Sequence, residues 1–212
     1  PPPPAPNTLR HTRSLHDALP ISVLTAGHCV HTGGPNGSWY SVGLFRVFPG
    51  RNGTASPYGS CTVRQNWTFT GWTTSSNPHF DLGLMRLNCT VGNTTGWFGT
   101  YVASSTELAN APTYVIGYPG DRAQMQMGSG DRIRRLESRM VCYRNDTVGG
   151  HSGSPVWNDR SNALSTTGAW IYAVHAYGVG GSVCGGSAQQ LNGGARILSD
   201  IMTTIVNVIN TP

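Results

Sequence analysis

A serine lies within a glycine-rich segment in the second half of the chain, Gly149–Val156 (GGHSGSPV). A serine hydroxyl is a useful nucleophile only when a base removes its proton and backbone donors receive the developing oxyanion. The glycines beside Ser152 permit a tight turn that aims the N–H groups of Gly150 and Ser152 at one point. The segment therefore predicts a nucleophile, Ser152, with an oxyanion hole formed by the amides of Gly150 and Ser152.

A histidine and an aspartate with suitable neighbours precede this serine. His28 follows an apolar strand end in LTAGHC, and Asp81 leads into a strand in DLGLMRL. An imidazole can take the proton of the serine, and a carboxylate can fix the imidazole tautomer and stabilise its cation. The chain order His28, Asp81, Ser152 differs from the orders found in subtilisin and in the α/β-hydrolases. These residues are the predicted catalytic triad.

The motifs TAGHC, DLGLMRL and GHSGSPV resemble the signatures of the trypsin-like peptidases. The chain is more similar still to the bacterial glutamyl endopeptidases of that fold. This similarity continues through short motifs such as Pro49–Gly53 and Gly92–Gly99 to the terminal helix, and it covers nearly all of residues 22–210.

The resemblance implies a secreted serine endopeptidase that acts on polypeptides through an acyl-enzyme, cleaving after Glu and less well after Asp. Two alternatives stay open: a trypsin-like peptidase of other specificity, and a non-catalytic homologue, which would usually lack a triad residue. The segment GHSGS also loosely matches the G-x-S-x-G motif of lipases. It lacks the final glycine of that motif, and the chain lacks the Ser-Asp-His order of that fold.

The resemblance also implies a set of substrate-binding residues. In the glutamyl enzymes, a histidine on the strand after the nucleophile and a threonine five residues before it bind the substrate carboxylate, and His175 and Thr147 occupy these places. An imidazole and a hydroxyl supply directional donors without a permanent charge. Ala176, Tyr177 and Gly178 would pair with the substrate backbone as an added β-strand.

The sequence supports two further predictions, about a glycosylation sequon and about the histidine before Ser152. Thr147 completes a glycosylation sequon at Asn145, and a glycan there would sit at the edge of the pocket. His151, where the resemblance favours a small polar residue, is expected to be an exposed turn residue.

The elements that must position these residues are mostly β-strands. Glycine- and proline-rich turns separate short apolar or alternating runs, and only Ala195–Ile209 has a helical pattern. The predicted strands are Ser22–Ala26, Ser41–Phe48, Thr62–Phe69, Leu82–Leu87, Thr113–Ile116, Arg139–Tyr143, Pro155–Trp157 and Ala169–His175. The pattern predicts an all-β fold. The resemblance makes it two antiparallel β-barrels with a C-terminal helix, the first over residues 22–105 and the second over 106–212.

The first residues do not fit this arrangement. Pro1–Pro6 opens a segment without a secretory signal pattern. Ser14–Ile21 matches one reading frame of a common sequencing-adapter oligonucleotide, which favours a non-native origin for residues 1–21. A disordered, Pro-rich leader is the alternative. In either case the N-terminal barrel is expected to be incomplete, with an open edge.

The cysteines favour disulfide bonds in an oxidising compartment, because none of the five forms a CxxC pair. The odd count leaves one thiol unpaired. In the family that the chain resembles, the cysteine after the catalytic histidine pairs with one upstream, and none precedes Cys29 here. Cys61–Cys89 and Cys142–Cys184 are then plausible bridges, although the spacing permits other pairings.

Charge and hydropathy argue against two classes of partner. All fourteen basic residues are arginines, and the formal charge is +5. They are scattered, without the aromatic-interleaved basic stripe of nucleic-acid binders, and no apolar run approaches the roughly 18 residues of a membrane span. We expect a secreted monomer. We expect no metal or other cofactor, since the sequence has no convincing cluster of oxygen ligands for calcium.

Overall fold

The computed structural model describes residues 21–161, 167–181, 183–184 and 190–211. Residues 1–20, most of the predicted non-native leader, lie outside this range. The strands are β1 (Ser22–Thr25), β2 (Arg46–Val47), β3 (Cys61–Thr68), β4 (Gly83–Leu87), β5 (Gly99–Thr100), β6 (Pro112–Gly117), β7 (Met127–Leu136), β8 (Met140–Tyr143), β9 (Pro155–Ser161), β10 (Thr167–Tyr177) and β11 (Asn192–Arg196). The helices are α1 (Thr70–Ser75), α2 (Gly92–Thr95), α3 (Ser105–Leu108) and α4 (Ser199–Asn210).

The first sheet has the antiparallel order β1-β4-β3-β2. Alternation along β3 places Cys61 and Val63 in the core and leaves Thr62 and Arg64 in solvent. Cys61 is bonded to Cys89, which ties β3 to the chain after β4. Within the described residues this sheet curls without closing, as expected for an incomplete N-terminal barrel.

The second sheet closes into a barrel. Its strands run β11-β8-β7-β6-β9-β10, and β10 pairs with β11 to complete the ring. Val115, Val141, Val156 and Tyr172 fill the interior. The Cys142–Cys184 bridge joins β8 to the segment before β11. The structure thus confirms the all-β fold with a terminal helix.

Two long-range elements of this barrel were not predicted. Most residues of β7 are exposed or half-buried, so its sequence lacks an apolar alternation. All residues of β11 are buried, yet its sequence begins Asn-Gly-Gly. A Cβ at Gly193 would lie 3.2 Å from the Cys184 sulfur, and one at Gly194 would lie 3.1 Å from the Val174 carbonyl oxygen. Glycine here permits close packing inside the barrel.

The terminal helix was placed slightly too early. Helix α4 begins at Ser199, because Ala195 and Arg196 still pair in β11. Ile201 and Ile205 are buried in one apolar cluster that also contains Leu84 from the first sheet. This cluster packs the two sheets together and positions the end of β1 near the loop between β8 and β9. No helix among the described residues is long and apolar enough to cross a membrane.

Candidate active site

His28 and Asp81 are brought together by the pairing of two strands. Thr25 at the end of β1 pairs with Gly83 at the start of β4, so the residues just beyond them are neighbours. Asp81 accepts a hydrogen bond from the backbone N–H of His28 at 2.7 Å, and its other oxygen lies 2.8 Å from His28 Nδ1. Asp81 is fully buried and His28 is about one-third exposed, at 32%. One ring edge of His28 is therefore fixed while the other stays accessible.

The electrostatics at His28 favour its cationic form. Burial lowers the pKa of His28, but the hydrogen bond and charge of Asp81, together with contacts to Cys29, outweigh it and raise the pKa above its ordinary value. Burial and then the Asp81 carboxylate also raise the pKa of Tyr177, whose ring centroid lies 6.4 Å from that of His28. The site is thus built to stabilise an imidazolium.

Ser152 sits in a turn that depends on glycine at two positions. Gly150 has φ +103° and Gly153 has φ +87°, values that side-chain-bearing residues rarely adopt. A Cβ at Gly150 would lie 2.5 Å from the backbone nitrogen of Gly120. Gly153 N–H donates to the His175 carbonyl at 2.8 Å, which anchors the turn to β10. Within the described part of the chain, the amides of Gly150 and Ser152 donate no hydrogen bond, so both can receive an oxyanion.

His28 and Ser152, which come from different parts of the fold, line the same cleft. It has a volume of about 460 Å³, and His28, Gly150 and Ser152 line it. The remaining lining residues are Cys29, Tyr40, Leu44 and Phe45. Cys29 is unpaired, in agreement with the odd cysteine count. The structure therefore brings the predicted base His28, the predicted nucleophile Ser152 and the Gly150 amide to a single opening.

His175 is buried beside this turn, near the end of β10. Its Nδ1 lies 2.7 Å from the hydroxyl of Tyr143. Burial, followed by the charges of His151 and His28, lowers the pKa of His175 to about 4. The imidazole is therefore neutral at neutral pH and can offer a neutral N–H donor.

Thr147 keeps a free hydroxyl, but the sequon it completes is unusable in the folded chain. Its Oγ1 is buried and has no hydrogen-bond partner among the described residues. Asn145 is 1% exposed, and its Nδ2 donates to the carbonyls of Thr113 and Ser129. A glycan on Asn145 would replace one of the two Nδ2 hydrogens and would have to leave this buried position, so it is incompatible with the described packing.

His151 is not the exposed turn residue that was expected. It is 4% exposed, and its Nδ1 lies 3.1 Å from both the backbone nitrogen and the carbonyl oxygen of Val148. Its ring meets that of His175 edge-on, with centroids 6.3 Å apart. The side chain is packed under the loop, and its contacts with the Val148 backbone hold the segment before Ser152 in place.

The segment Ala176-Tyr177-Gly178 has an edge available for a substrate strand. Strand β9 pairs with β10 only as far as Val174, and the backbone of His175 then bonds to the nucleophile turn. Beyond His175, no described strand pairs with this side of the segment. An extended peptide passing Ser152 could therefore add to it.

Comparison with known proteins identifies the family of the chain. The family model for the trypsin-like peptidase domain matches residues 15–165. The chain belongs to the trypsin-like peptidase family. Among relatives in this family, the glutamyl endopeptidase of Bacillus licheniformis is 37% identical over 193 residues, which cover 91% of this chain and 58% of that protein.

Another relative has a different name. A Bacillus subtilis protein named extracellular metalloprotease is 34% identical over 187 residues, 88% of this chain and 54% of that protein. The chain thus spans little more than half the length of both relatives. Across the described ranges, no group of three His, Cys, Asp or Glu side chains is arranged to hold a metal ion.

Solved structures share the family fold. A Glu endopeptidase superposes with a TM-score of 0.75 at 23% identity, over 91% of this chain and 83% of that one. The protease Anisep from Arthrobacter nicotinovorans gives 0.73 at 20% identity, over 93% and 87%. The thermostable serine protease AL20 gives 0.75 at 18% identity, over 93% and 88%.

Some residues near the site carried no usable signal in the sequence. Tyr143 lies in the strand MVCY, whose residues are all buried, so it reads as ordinary core. Leu44 and Phe45 lie in a run predicted as strand, but Val42–Leu44 forms a 3₁₀ turn and Leu44 is exposed at the cleft. Only the three-dimensional arrangement relates these side chains to the triad.

Proposed function

We propose that this chain is the catalytic part of a secreted serine endopeptidase that cleaves after Glu and less well after Asp. The observation that carries the proposal is the shared cleft. His28, held by the buried Asp81, opens onto the same space as Ser152 and the free amide of Gly150. A base, a nucleophile and oxyanion donors in one opening are the parts needed for acyl transfer.

In the proposed mechanism, Ser152 Oγ attacks the carbonyl carbon of the scissile bond while His28 Nε2 takes its proton. The oxyanion accepts hydrogen bonds from the amides of Gly150 and Ser152. His28 then gives the proton to the leaving amine, and the acyl-enzyme is hydrolysed by water with His28 again acting as the base. Asp81 fixes the tautomer of His28 and stabilises its cation.

Two neutral donors support the preference for an acidic side chain. His175 keeps an uncharged imidazole because burial lowers its pKa to about 4, and the buried Thr147 hydroxyl has no partner among the described residues. A carboxylate within hydrogen-bond distance of both groups would accept from each of them. An arginine or lysine side chain would find no negative charge on either residue, which argues against trypsin-like specificity for basic residues.

Two observations support the extracellular location. The Cys61–Cys89 and Cys142–Cys184 disulfides suit an oxidising compartment. A 34% identical relative is named extracellular metalloprotease.

Covalent labelling tests the nucleophile. The protein expressed from its full natural reading frame is treated with a fluorophosphonate, and the modified peptide is mapped by mass spectrometry, with Ser152→Ala as the control. Label on Ser152, together with peptide cleavage that survives EDTA, is the expected result. Cleavage that EDTA abolishes in a protein left unlabelled at Ser152 would contradict the serine mechanism.

A further inference from the structure

The pocket histidine His175 has a single described hydrogen-bond partner on its ring. The Tyr143 hydroxyl lies 2.7 Å from His175 Nδ1, and the two rings are inclined at 46° with centroids 6.0 Å apart. Tyr143 is fully buried and His175 is 3% exposed. Neither side chain can exchange this contact for water without opening the barrel.

The direction of this hydrogen bond follows from the partners that the buried Tyr143 hydroxyl has available. Burial raises the pKa of Tyr143 well above its ordinary value, so the phenol keeps its proton. A phenol and a neutral imidazole can each take either role in this bond. His175 Nδ1 is the one hydrogen-bond partner of the Tyr143 hydroxyl among the described residues, so a donating Nδ1 would leave the buried phenol proton without an acceptor. The Tyr143 O–H is therefore the donor, and His175 accepts with the lone pair of Nδ1. The single ring proton of His175 therefore resides on Nε2, at the opposite side of the ring.

The barrel keeps the space that this pair needs. Strand pairing sets His175 opposite Gly194, which itself faces Val141, two residues before Tyr143 in β8. A Cβ at Gly194 would approach to 3.2 Å from the Tyr143 hydroxyl oxygen. A larger residue there would crowd the hydroxyl, so the buried glycine of β11 preserves the contact.

We infer that Tyr143 is a positioning residue for recognition of the substrate carboxylate. By occupying Nδ1, it holds His175 in the tautomer that presents Nε2–H, the form that can donate to an acidic side chain. The other neutral tautomer would turn an unshared electron pair toward that carboxylate and repel it. The inference rests on the proposed cleavage after Glu and names a residue that sets the specificity of that same site.

The surroundings of His175 determine what happens when Tyr143 is changed. His151 meets its ring edge-on, and His28 contributes charge from the 3₁₀ turn after β1. Both disfavour a cation at His175, as does burial. Without the Tyr143 hydroxyl, Nδ1 can carry the proton itself, so part of the population would hold the tautomer that repels a carboxylate.

The test compares Tyr143→Phe with Tyr172→Phe. Tyr172 is a matched control because it is also buried in the barrel, and its hydroxyl donates to Thr113 Oγ1 rather than to His175. Each variant removes one buried hydroxyl and keeps the ring. KM and kcat are measured on paired peptides with Glu or Gln before the scissile bond, and the rate of fluorophosphonate labelling reports on Ser152.

The expected result is specific to the acidic substrate. Tyr143→Phe should raise KM for the Glu peptide about 10-fold and reduce the Glu-over-Gln preference by a similar factor. Its labelling rate should stay within about twofold of wild type, and Tyr172→Phe should keep the wild-type preference. A Glu-selective wild type whose preference is unchanged in Tyr143→Phe, or reduced equally in Tyr172→Phe, would overturn the inference alone. A wild type without preference for Glu would overturn the proposed specificity as well.

Discussion

Asp81 accepts two hydrogen bonds from one residue, the backbone N–H of His28 at 2.7 Å and the ring Nδ1 at 2.8 Å. The pair of contacts fixes both the position and the tautomer of the imidazole. Because Asp81 is fully buried, water does not compete for its oxygens. The geometry makes the carboxylate an orienting group for His28 and supplies the negative charge that stabilises the imidazolium.

Replacing Asp81 with asparagine should remove most of the activity while the fold survives. The amide of Asp81→Asn can donate to Nδ1, which would place the wrong tautomer at the base. We expect kcat to fall by about 10⁴-fold, with KM changed little, and circular dichroism to stay native. A loss smaller than about 10-fold would contradict the assigned role.

The activity should also depend on the protonation of His28. Because the pKa of His28 is raised above the ordinary 6.5, kcat/KM should fall as the pH drops, with a midpoint above that value. The acidic limb of the kcat/KM profile should move to lower pH in Asp81→Asn, because this substitution removes the carboxylate that favours the His28 cation. The profiles are measured on an activated ester. If the acidic limbs of the wild type and of Asp81→Asn have the same midpoint, a group other than His28 controls the pH profile.

The stability of the fold should decrease in mild acid because of His175. Its folded pKa of about 4 lies below the ordinary 6.5, so between these values the unfolded chain binds a proton that the folded chain does not. The free energy of unfolding should therefore fall with decreasing pH across this window, by up to about 3 kcal/mol. Urea unfolding at several pH values measures it. The variant His175→Gln should have a flatter dependence, and an unchanged slope would contradict the assignment.

Arg86 should stabilise the terminal helix. It is 5% exposed, and its guanidinium donates to the carbonyls of Val208, Ile209 and Thr211 at the end of α4. Cations near a helix C-terminus are favourable. Arg86→Met should lower the free energy of unfolding by about 2 kcal/mol, whereas Arg64→Met, on the exposed face of β3, should change it little. Equal melting temperatures for the two variants would contradict this role.

The sequence indicated which side chains could take part in chemistry, but it did not indicate which residues are buried around them. His28, Asp81 and Ser152 stand in short motifs whose neighbours favour a local turn, so the sequence alone suggested them as a triad. Tyr143 could not be found in this way, because its role depends on the pairing of β8, β10 and β11, which are distant in sequence. His151 was misjudged for the same reason: its position in a turn predicts exposure, but the loop folds it inward.

The fold shows the same division. Strands with apolar or alternating runs, such as β3 and β4, were predicted. The sequence favoured Cys61–Cys89 and Cys142–Cys184 as bridges but left other pairings open, and the structure has these two. Strand β11 was missed because its sequence lacks the apolar residues typical of a buried strand. Close packing inside the barrel favours glycine at Gly193 and Gly194. Long-range packing therefore determined the part of the fold that local patterns did not predict.

The central claim is best tested by measuring kcat/KM on matched peptides with Glu, Asp, Gln, Arg or Phe before the scissile bond, using the protein expressed from its full natural reading frame. The account predicts fastest cleavage after Glu, slower cleavage after Asp, little after the others, and none with Ser152→Ala. Fastest cleavage after Arg or Phe would contradict the carboxylate pocket, and the absence of cleavage by a folded protein would contradict the endopeptidase itself.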